Sequence, residues 1–536
     1  MINKKMISIL LTAGMVVSLA GCGGDSKKSK DGGDNKQESA NVNKEGMPIV
    51  DDPVTLTVLT TRWGNMGDSF EDNAFLKKLE KDSNVTIKWE VQSLNDWGEQ
   101  KGILLSGGEL PDVIIGNKTF GDSDIIGNLD MFLPLDDLIH DYMPNYKKAM
   151  EEFPELRKIS TFPDGKLYSL AKNLPQRPMS RNQPIINKKW LDNLGLKEPS
   201  TIDELTEVLR AFKEQDANGN GDPNDEIPIS GSGDVNMDFM NPFGITDLSG
   251  YKLIMTGDSS FEYYPTSENY KEGIKWLHSL YEGGIIDPEA YTQDETMLSG
   301  KEQDPDVSRV GMTYAWTPDA RYGKWSPEYE AIPPIKGPDG KAYTEGDPDG
   351  VYSITRNEAI ITTACKNPEA AARWLDEFYT GEASIQNFWG PIGEVIEKHD
   401  DGTYTLNDPP EGTSADAWYW EKSLRDFGPK YISREFESKI KLSPDSGDGL
   451  KMELTKMADD TVVKPFPGVI FSPEADEERA TLITDIDKFV QNKRAEWVTD
   501  GGIDKEWDDY VEQLNTMGLE KLLKIYQDAL EEYQEK

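Results

Sequence analysis

Cysteine is almost missing from this chain of 536 residues, which has only Cys22 and Cys365. Cys22 is claimed below by a lipid, so one thiol remains and no internal disulfide can form. Cys365 follows the apolar run from Ala359 to Ala364 and reads as a buried strand cysteine. Histidine is also scarce. His140, His278 and His399 stand alone, with no HxxxH or CxxC spacing, and a zinc site is not indicated. Positive charge is in short supply: 57 Lys and Arg face 98 Asp and Glu, for a net charge of -41. Such a surface repels a phosphate backbone, which excludes nucleic acid as a partner and disfavours anionic lipid. It also weighs against a polyanionic ligand, unless a basic pocket acts within a Debye length of roughly 8 Å. Neither a GxSxG elbow nor a GxxxxGK[ST] loop occurs, so the chain does not itself hydrolyse ATP. Long apolar runs are lacking too. The run from Met6 to Ala20 falls short of the ~20 residues that span a bilayer.

What is present begins with an address. Lys4 and Lys5 precede that apolar run, which ends in Leu19-Ala20-Gly21-Cys22. The tetrapeptide resembles a bacterial lipobox, which implies a signal peptide over 1–21 and a diacylated Cys22. Residues 22–50 then read as lipid anchor and flexible tether, because Gly23 to Gly46 offers almost nothing to bury. As a coil that stretch would reach roughly 27 Å, with structure beginning near Pro48.

From there strands and helices alternate. Val54 to Thr60, Val85 to Val91 and Asp112 to Ile115 read as strands, with helices around Glu71 to Lys81 and Asn95 to Ser106 between them. Further on, Thr201 and Glu204 form a capping box before Ile202, Leu205, Val208, Leu209 and Phe212 at helical spacing. The chain closes in two helices, around Trp507 to Met517 and Leu519 to Tyr533. Strand-helix alternation of this kind implies a parallel sheet covered on both faces.

The order of these elements resembles the extracellular solute-binding protein family 1, in particular Gram-positive lipoproteins and alginate-type oligosaccharide-binding proteins. Four stretches carry the likeness: Asp164 to Leu170, Ile186 to Thr201, Gly283 to Glu289 and Phe388 to Glu394. The resemblance implies an α/β, two-lobe, type II periplasmic-binding-protein-like fold with an interlobe cleft and a helical C-terminus. Lobe 1 would comprise 51–171 and 338–385; lobe 2 would comprise 172–337 and 386–536. The lobes would be joined near Leu167–Ala171 and Ile332–Gly337.

The sharpest chemical motif is the loop 216–226. Asp216, Asn218 and Asn220 supply oxygens at positions 1, 3 and 5, and Gly221 takes position 6, as in an EF-hand that wraps Ca²⁺. Position 12 is Ile227, however, and the closing carboxylates, Asp225 and Glu226, come earlier. The family resemblance implies Asp216, Asn218, Asn220, Asp225 and Glu226 as side-chain ligands and the Asp222 carbonyl as another. The alternative is an acidic solvated turn.

Thirteen tryptophans divide between helical patterns and loop signals. Trp190, Trp276, Trp374, Trp497 and Trp507 read as core. A sugar ring presents axial C–H groups to an aromatic face while its hydroxyls bond polar neighbours. Trp63 follows the first strand, where ligands of parallel sheets sit. The resemblance places Trp316 where relatives carry a cleft aromatic, and Trp389 in a matched turn with Glu394 nearby. Packing in the core is the competing reading for each.

Taken together, the sequence predicts an extracellular lipoprotein on the cell membrane, in an envelope of Gram-positive type. It would capture a carbohydrate by hinge closure and pass it to the permease subunits of an ABC importer with a separate ATPase. No catalytic residue is assigned, and Ca²⁺ is expected as a structural ion. A surface enzyme that cleaves glycans, or a binding or sensor lipoprotein for a peptide or other solute, stands as the alternative.

Overall fold

The computed structural model describes residues 41–62, 70, 73–174, 178–346, 354–411, 413, 415–444 and 447–535. Cys22 and Trp63 lie outside the described residues. Nine strands build the two main sheets: β1 Val54–Arg62, β2 Val85–Ser93, β3 Val113–Ile115, β4 Leu170–Asn173, β5 Gln183–Asn187, β6 Ile227–Ile229, β7 Val310–Ala315, β8 Tyr329–Ala331 and β9 Ile354–Ile361.

The first sheet has the order β2-β1-β3-β9-β4. β1 runs parallel to both neighbours, with Val58 opposite Trp89 on one side and Val113 on the other. Helices Ala74–Ser83 and Trp97–Gly107 make the crossovers, and β9 returns antiparallel between β3 and β4. β1 begins with alternating burial, as a half-buried strand should. Its last three residues break the pattern: Thr60, Thr61 and Arg62 are polar yet buried. That end of the strand faces protein, not solvent.

The second sheet has the order β8-β5-β7-β6, with β6 parallel to β7 and β5 antiparallel to β7 and β8. Helix Ile202–Glu214 covers it. Thr201 Oγ1 accepts from the Glu204 backbone N–H at 3.3 Å. The Glu204 carboxylate reaches back to the Ser200 N–H at 2.8 Å, one residue before the position a capping box uses. Its five predicted apolar residues are all buried, in a core shared with Trp190, Met312 and Trp497. Each such leucine or phenylalanine contributes about 1.5–3 kcal/mol by leaving water.

Two α/β lobes thus form, and their junction lies later in the chain than expected. Lys172 and Asn173 pair in the first sheet, and Ile332 and Ile335 pack in the second core. The crossings fall between β4 and β5 and between β8 and β9, and their described residues 178–182 and 344–346 run side by side. Arg181 N donates to Glu345 O at 3.1 Å, and Ser180 bridges Gly346. A third segment joins them, because Thr344–Glu345 pairs with Val462–Val463. Gly346 is required here: a Cβ would lie 2.6 Å from Met179 O and 2.7 Å from Val462 Cγ1.

Three further placements differ from the expectations. The tether was to extend to residue 50, yet Ile49 and Val50 are fully buried, and Arg373 Nη2 donates to Gly46 O at 3.2 Å. The stretch after 386 was assigned whole to lobe 2. Leu424 and Tyr431 instead pack into the first-sheet core, and Asn173 N donates to Lys430 O at 3.1 Å. The chain then returns to the second core through Phe466 and Phe471. Finally, a helix Pro473–Asp500 precedes the two expected C-terminal helices, Ile503–Thr516 and Leu519–Glu535.

Candidate functional site

Two cavities of about 400 and 310 Å³ adjoin at the edge of the second sheet, sharing Asn182 and Asn236 as wall residues. Both volumes fall in or near the range of small-ligand sites. β7 ends at Ala315 and delivers Trp316 to the larger cavity, half-buried. Lys451 Nζ sits 4.8 Å from the centre of the Trp316 ring. Asn236 caps the 3-10 turn Met237–Phe243, accepting from the Asp238 N–H at 2.9 Å. Its amide also donates to Tyr314 O at 3.1 Å, so the turn is fixed against the end of β7. Asn182, leaving the first crossing, donates to Asp238 Oδ2 at 2.7 Å.

Asp238 and Asn241 are buried in the smaller cavity, beside Glu345 from the second crossing. Burial pushes the Glu345 carboxyl up to about 8, the neighbouring Asp238 charge adds to the rise, and Arg181 opposes it. Arg321 in the larger cavity is held by two carboxylates, Glu302 at 2.7 Å and Glu295 at 2.6 Å. One aromatic face amid amides, carboxylates and a guanidinium can stack a ring and bond many hydroxyls.

The other predicted residues divide. Trp389 is 1% exposed, and its indole N–H donates to Asp448 Oδ2 at 2.7 Å. Arg425 lies 4.3 Å over Phe388 and pairs with the same Asp448 at 3.3 Å. Helix Gly447–Thr455 carries both Asp448 and Lys451, one turn apart, and so links Trp389 to Trp316. Glu394 is not brought to them: it is exposed and paired with Lys422 at 3.0 Å. Asn182, Asp238, Asn241 and Glu345 had no sequence signal, since the chain folds them together from three separate segments. Asn236 alone left one, an Asn placed to cap a turn.

The loop 216–226 ties the end of helix Ile202–Glu214 to β6. Asp216 accepts from the N–H groups of Gly219 and Gly221 at 2.9 and 2.8 Å. The Asn218 and Asn220 amides both donate to Asp225 at 2.7 Å. Glu226 is buried, its Oε2 has no hydrogen-bond partner, and burial raises its carboxyl. Among the described residues no group of three or more His, Cys, Asp or Glu side chains is gathered for a metal. Asn218 and Asn220 direct amide nitrogens, not oxygens, at Asp225. The residue types are hard-oxygen donors suited to Ca²⁺, and the unpartnered Glu226 oxygen is the one feature here that a cation would satisfy.

Two α/β lobes joined by three adjacent crossings, with an aromatic and amide-lined cavity at the strand ends, have the form of a ligand-capturing protein. The chain belongs to the bacterial extracellular solute-binding proteins, whose family profile matches residues 63–385. Along its whole length it is similar to the fructooligosaccharide ABC transporter substrate-binding protein FusA of Streptococcus pneumoniae. The two are 32% identical over 98% of each chain. The solved structure of FusA with kestose superposes with a TM-score of 0.79 at 31% identity, covering 90% of this chain and 99% of that one. An EF-hand mutant of FusA with fructo-nystose gives 0.78 at 30% identity, with the same coverage.

Proposed function

We propose that this protein captures an extracellular oligosaccharide between its lobes and delivers it to the permease of an ABC importer driven by a separate ATPase. The observation that carries this reading is the Trp316 platform set among Asn182, Asn236 and Asp238 at the end of β7. The full-length likeness to a fructooligosaccharide-binding protein supports it. Closure about the three adjacent crossings would seal the ligand, a hinge motion. Trp316 is the ring-stacking residue; Trp389 braces the helix that carries Lys451. Calorimetry with an oligosaccharide panel tests this. Trp316→Ala should weaken the best ligand about 5- to 150-fold, equivalent to about 1–3 kcal/mol. Trp316→Phe should retain more. Unchanged affinity in a folded Trp316→Ala protein would remove Trp316 from the site.

Cys22 is proposed as the lipid anchor and Asp216, Asn218, Asn220, Asp222, Asp225 and Glu226 as the residues that hold Ca²⁺. The bound ion would pin the end of helix Ile202–Glu214 to the start of β6. Cys22→Ala should release the protein to the medium or leave the precursor unprocessed. Labelled fatty acid persisting on the Cys22→Ala protein would show a second lipid site.

A further inference from the structure

A short helix, Pro318–Tyr322, follows Trp316 and carries Arg321 into the same cavity. Both carboxylates that hold this guanidinium come from one other helix, Glu295–Glu302, as its first and last residues. They stand two helical turns apart and so share a face. Glu302 is 1% exposed and accepts the Nε–H at 2.7 Å, and Glu295 accepts an Nη1–H at 2.6 Å. Burial pushes the Glu302 carboxyl up to about 7 against the pull of Arg321, so the carboxyl depends on its partner. The backbone beneath is fixed as well. Gln303 Nε2 donates to Arg321 O at 3.0 Å, and Tyr322 is fully buried, its ring stacked 3.5 Å from that of Tyr329. Of the five N–H donors an arginine carries, these contacts use two. Nη2 makes no hydrogen bond to any described residue, and the side chain is 25% exposed where it lines the cavity.

Resting on the oligosaccharide reading above, we infer that Arg321 is a ligand-binding residue that donates its unspent N–H groups to two adjacent hydroxyls of the ring stacked on Trp316, with Glu302 as its positioning residue. Stacking on an indole fixes the plane of a sugar ring but leaves the ring free to turn within that plane. A guanidinium fork fixes the turn, because its paired N–H groups match two oxygens borne on neighbouring atoms. An ammonium is a point charge and offers no such match. The two carboxylate anchors orient the fork before any ligand arrives, so little rotamer freedom is left to lose on binding. A guanidinium that served only to neutralise Glu302 could be buried with it. This one keeps Nη2 unspent in the cavity that holds the tryptophan.

The test is calorimetry on the full-length mature protein with neutral fructo-, malto-, xylo- and galacto-oligosaccharides. Arg321→Lys should weaken the tightest of them about 10- to 100-fold, as loss of hydrogen bonds from a charged group would, while the melting temperature of the ligand-free protein moves by only a few degrees. Hydroxyls are then removed from that sugar one at a time as deoxy derivatives. An adjacent pair should emerge whose loss weakens wild type about tenfold but Arg321→Lys less than about threefold, the coupling a direct contact produces. Glu302→Gln should weaken binding by a smaller factor than Arg321→Lys and leave the same pair sensitive. Should Arg321→Lys not fold, the Arg321→Gln, Glu302→Gln double variant removes both charges of the buried pair together and takes its place, with the same expectation. Unchanged affinity in a folded variant, or no adjacent pair to which wild type alone is sensitive, would overturn the inference and leave the oligosaccharide reading standing. Wild type binding no glycan at all would overturn both.

Discussion

Arg356→Ala is expected to destabilise the protein by about 1–3 kcal/mol, because it strands a half-buried carboxylate and unpairs the Ile159, Gly468 and Val469 carbonyls at once. Arg356 leaves β9 within the first lobe and reaches Asp122 through Nε at 2.8 Å. The same guanidinium donates to Ile159 O at 3.3 Å, and across the lobes to Gly468 O at 2.5 Å and Val469 O at 2.9 Å. Gly468 and Val469 lie just before the long C-terminal helix, so one side chain clasps the third crossing to the first sheet. Burial alone would raise the Asp122 carboxyl, but Arg356 and the Asn357 amide hold it below the ordinary carboxylate range. A depressed carboxylate contributes stability above its unfolded value, near 4, and that contribution is lost as pH falls through the lower folded value. Arg356→Ala should therefore flatten the acid limb of stability below about pH 4. Arg356→Lys keeps the charge without the planar fork and should recover only part of the loss. Urea unfolding across pH 3 to 7 measures both effects. A loss below about 1 kcal/mol would show that the clasp is not what holds the crossing.

Much of this was legible in the sequence because it was local. The strand Val54 to Thr60, the helix after Thr201 and the oxygen-rich turn at 216–226 each declare themselves within a dozen residues, through period, cap or spacing. The five tryptophans assigned to core from helical periodicity lie in or against the packed interior. Trp316 lines a cavity because it directly follows the end of β7, a position the strand pattern marks. What escaped was non-local. The stretch 386–443 has few long periodic runs, and its allegiance to the first sheet is set by the contacts of Leu424, Tyr431 and Lys430 with residues far back in the chain. Helix Pro473–Asp500 buries few residues along its length, Ile486, Val490, Trp497 and Val498 among them, so its apolar stripe is too thin to read. Trp389 shows the limit of type-based inference. A tryptophan in a glycine-bearing turn can serve a ligand or a carboxylate, and here its N–H serves Asp448. Asp238 and Glu345 stand far apart in sequence, and only the side-by-side crossings bring them to one cavity.

Removing calcium is expected to lower the melting temperature, and Asp216→Ala is expected to remove most of that sensitivity. An ion that binds only the folded chain stabilises it by about 2.7 kcal/mol at 100 times its dissociation constant, and by about 4.1 kcal/mol at 1,000 times. The loop gives a physical reason to expect such binding. Burial raises the Glu226 carboxyl and leaves Oε2 without a hydrogen-bond partner, a cost that a divalent cation would offset. The Asn218 and Asn220 amides now turn their N–H groups toward Asp225. Rotation of each amide would present oxygen in place of nitrogen and complete the hard-oxygen set without moving the backbone. Asp216 stands first in the loop and already orients the Gly219 and Gly221 N–H groups, so its loss removes an anionic ligand and loosens the turn together. Asp225→Asn should give a smaller loss, since an amide oxygen can still coordinate. Thermal melts with and without chelator, on wild type and both variants, measure the difference; calcium and oligosaccharide added together should stabilise additively if the loop and the cleft are independent. Native mass spectrometry showing the wild-type loop metal-free in millimolar Ca²⁺ would end the assignment, and an Asp216→Ala melt as sensitive to chelator as wild type would move the ion elsewhere.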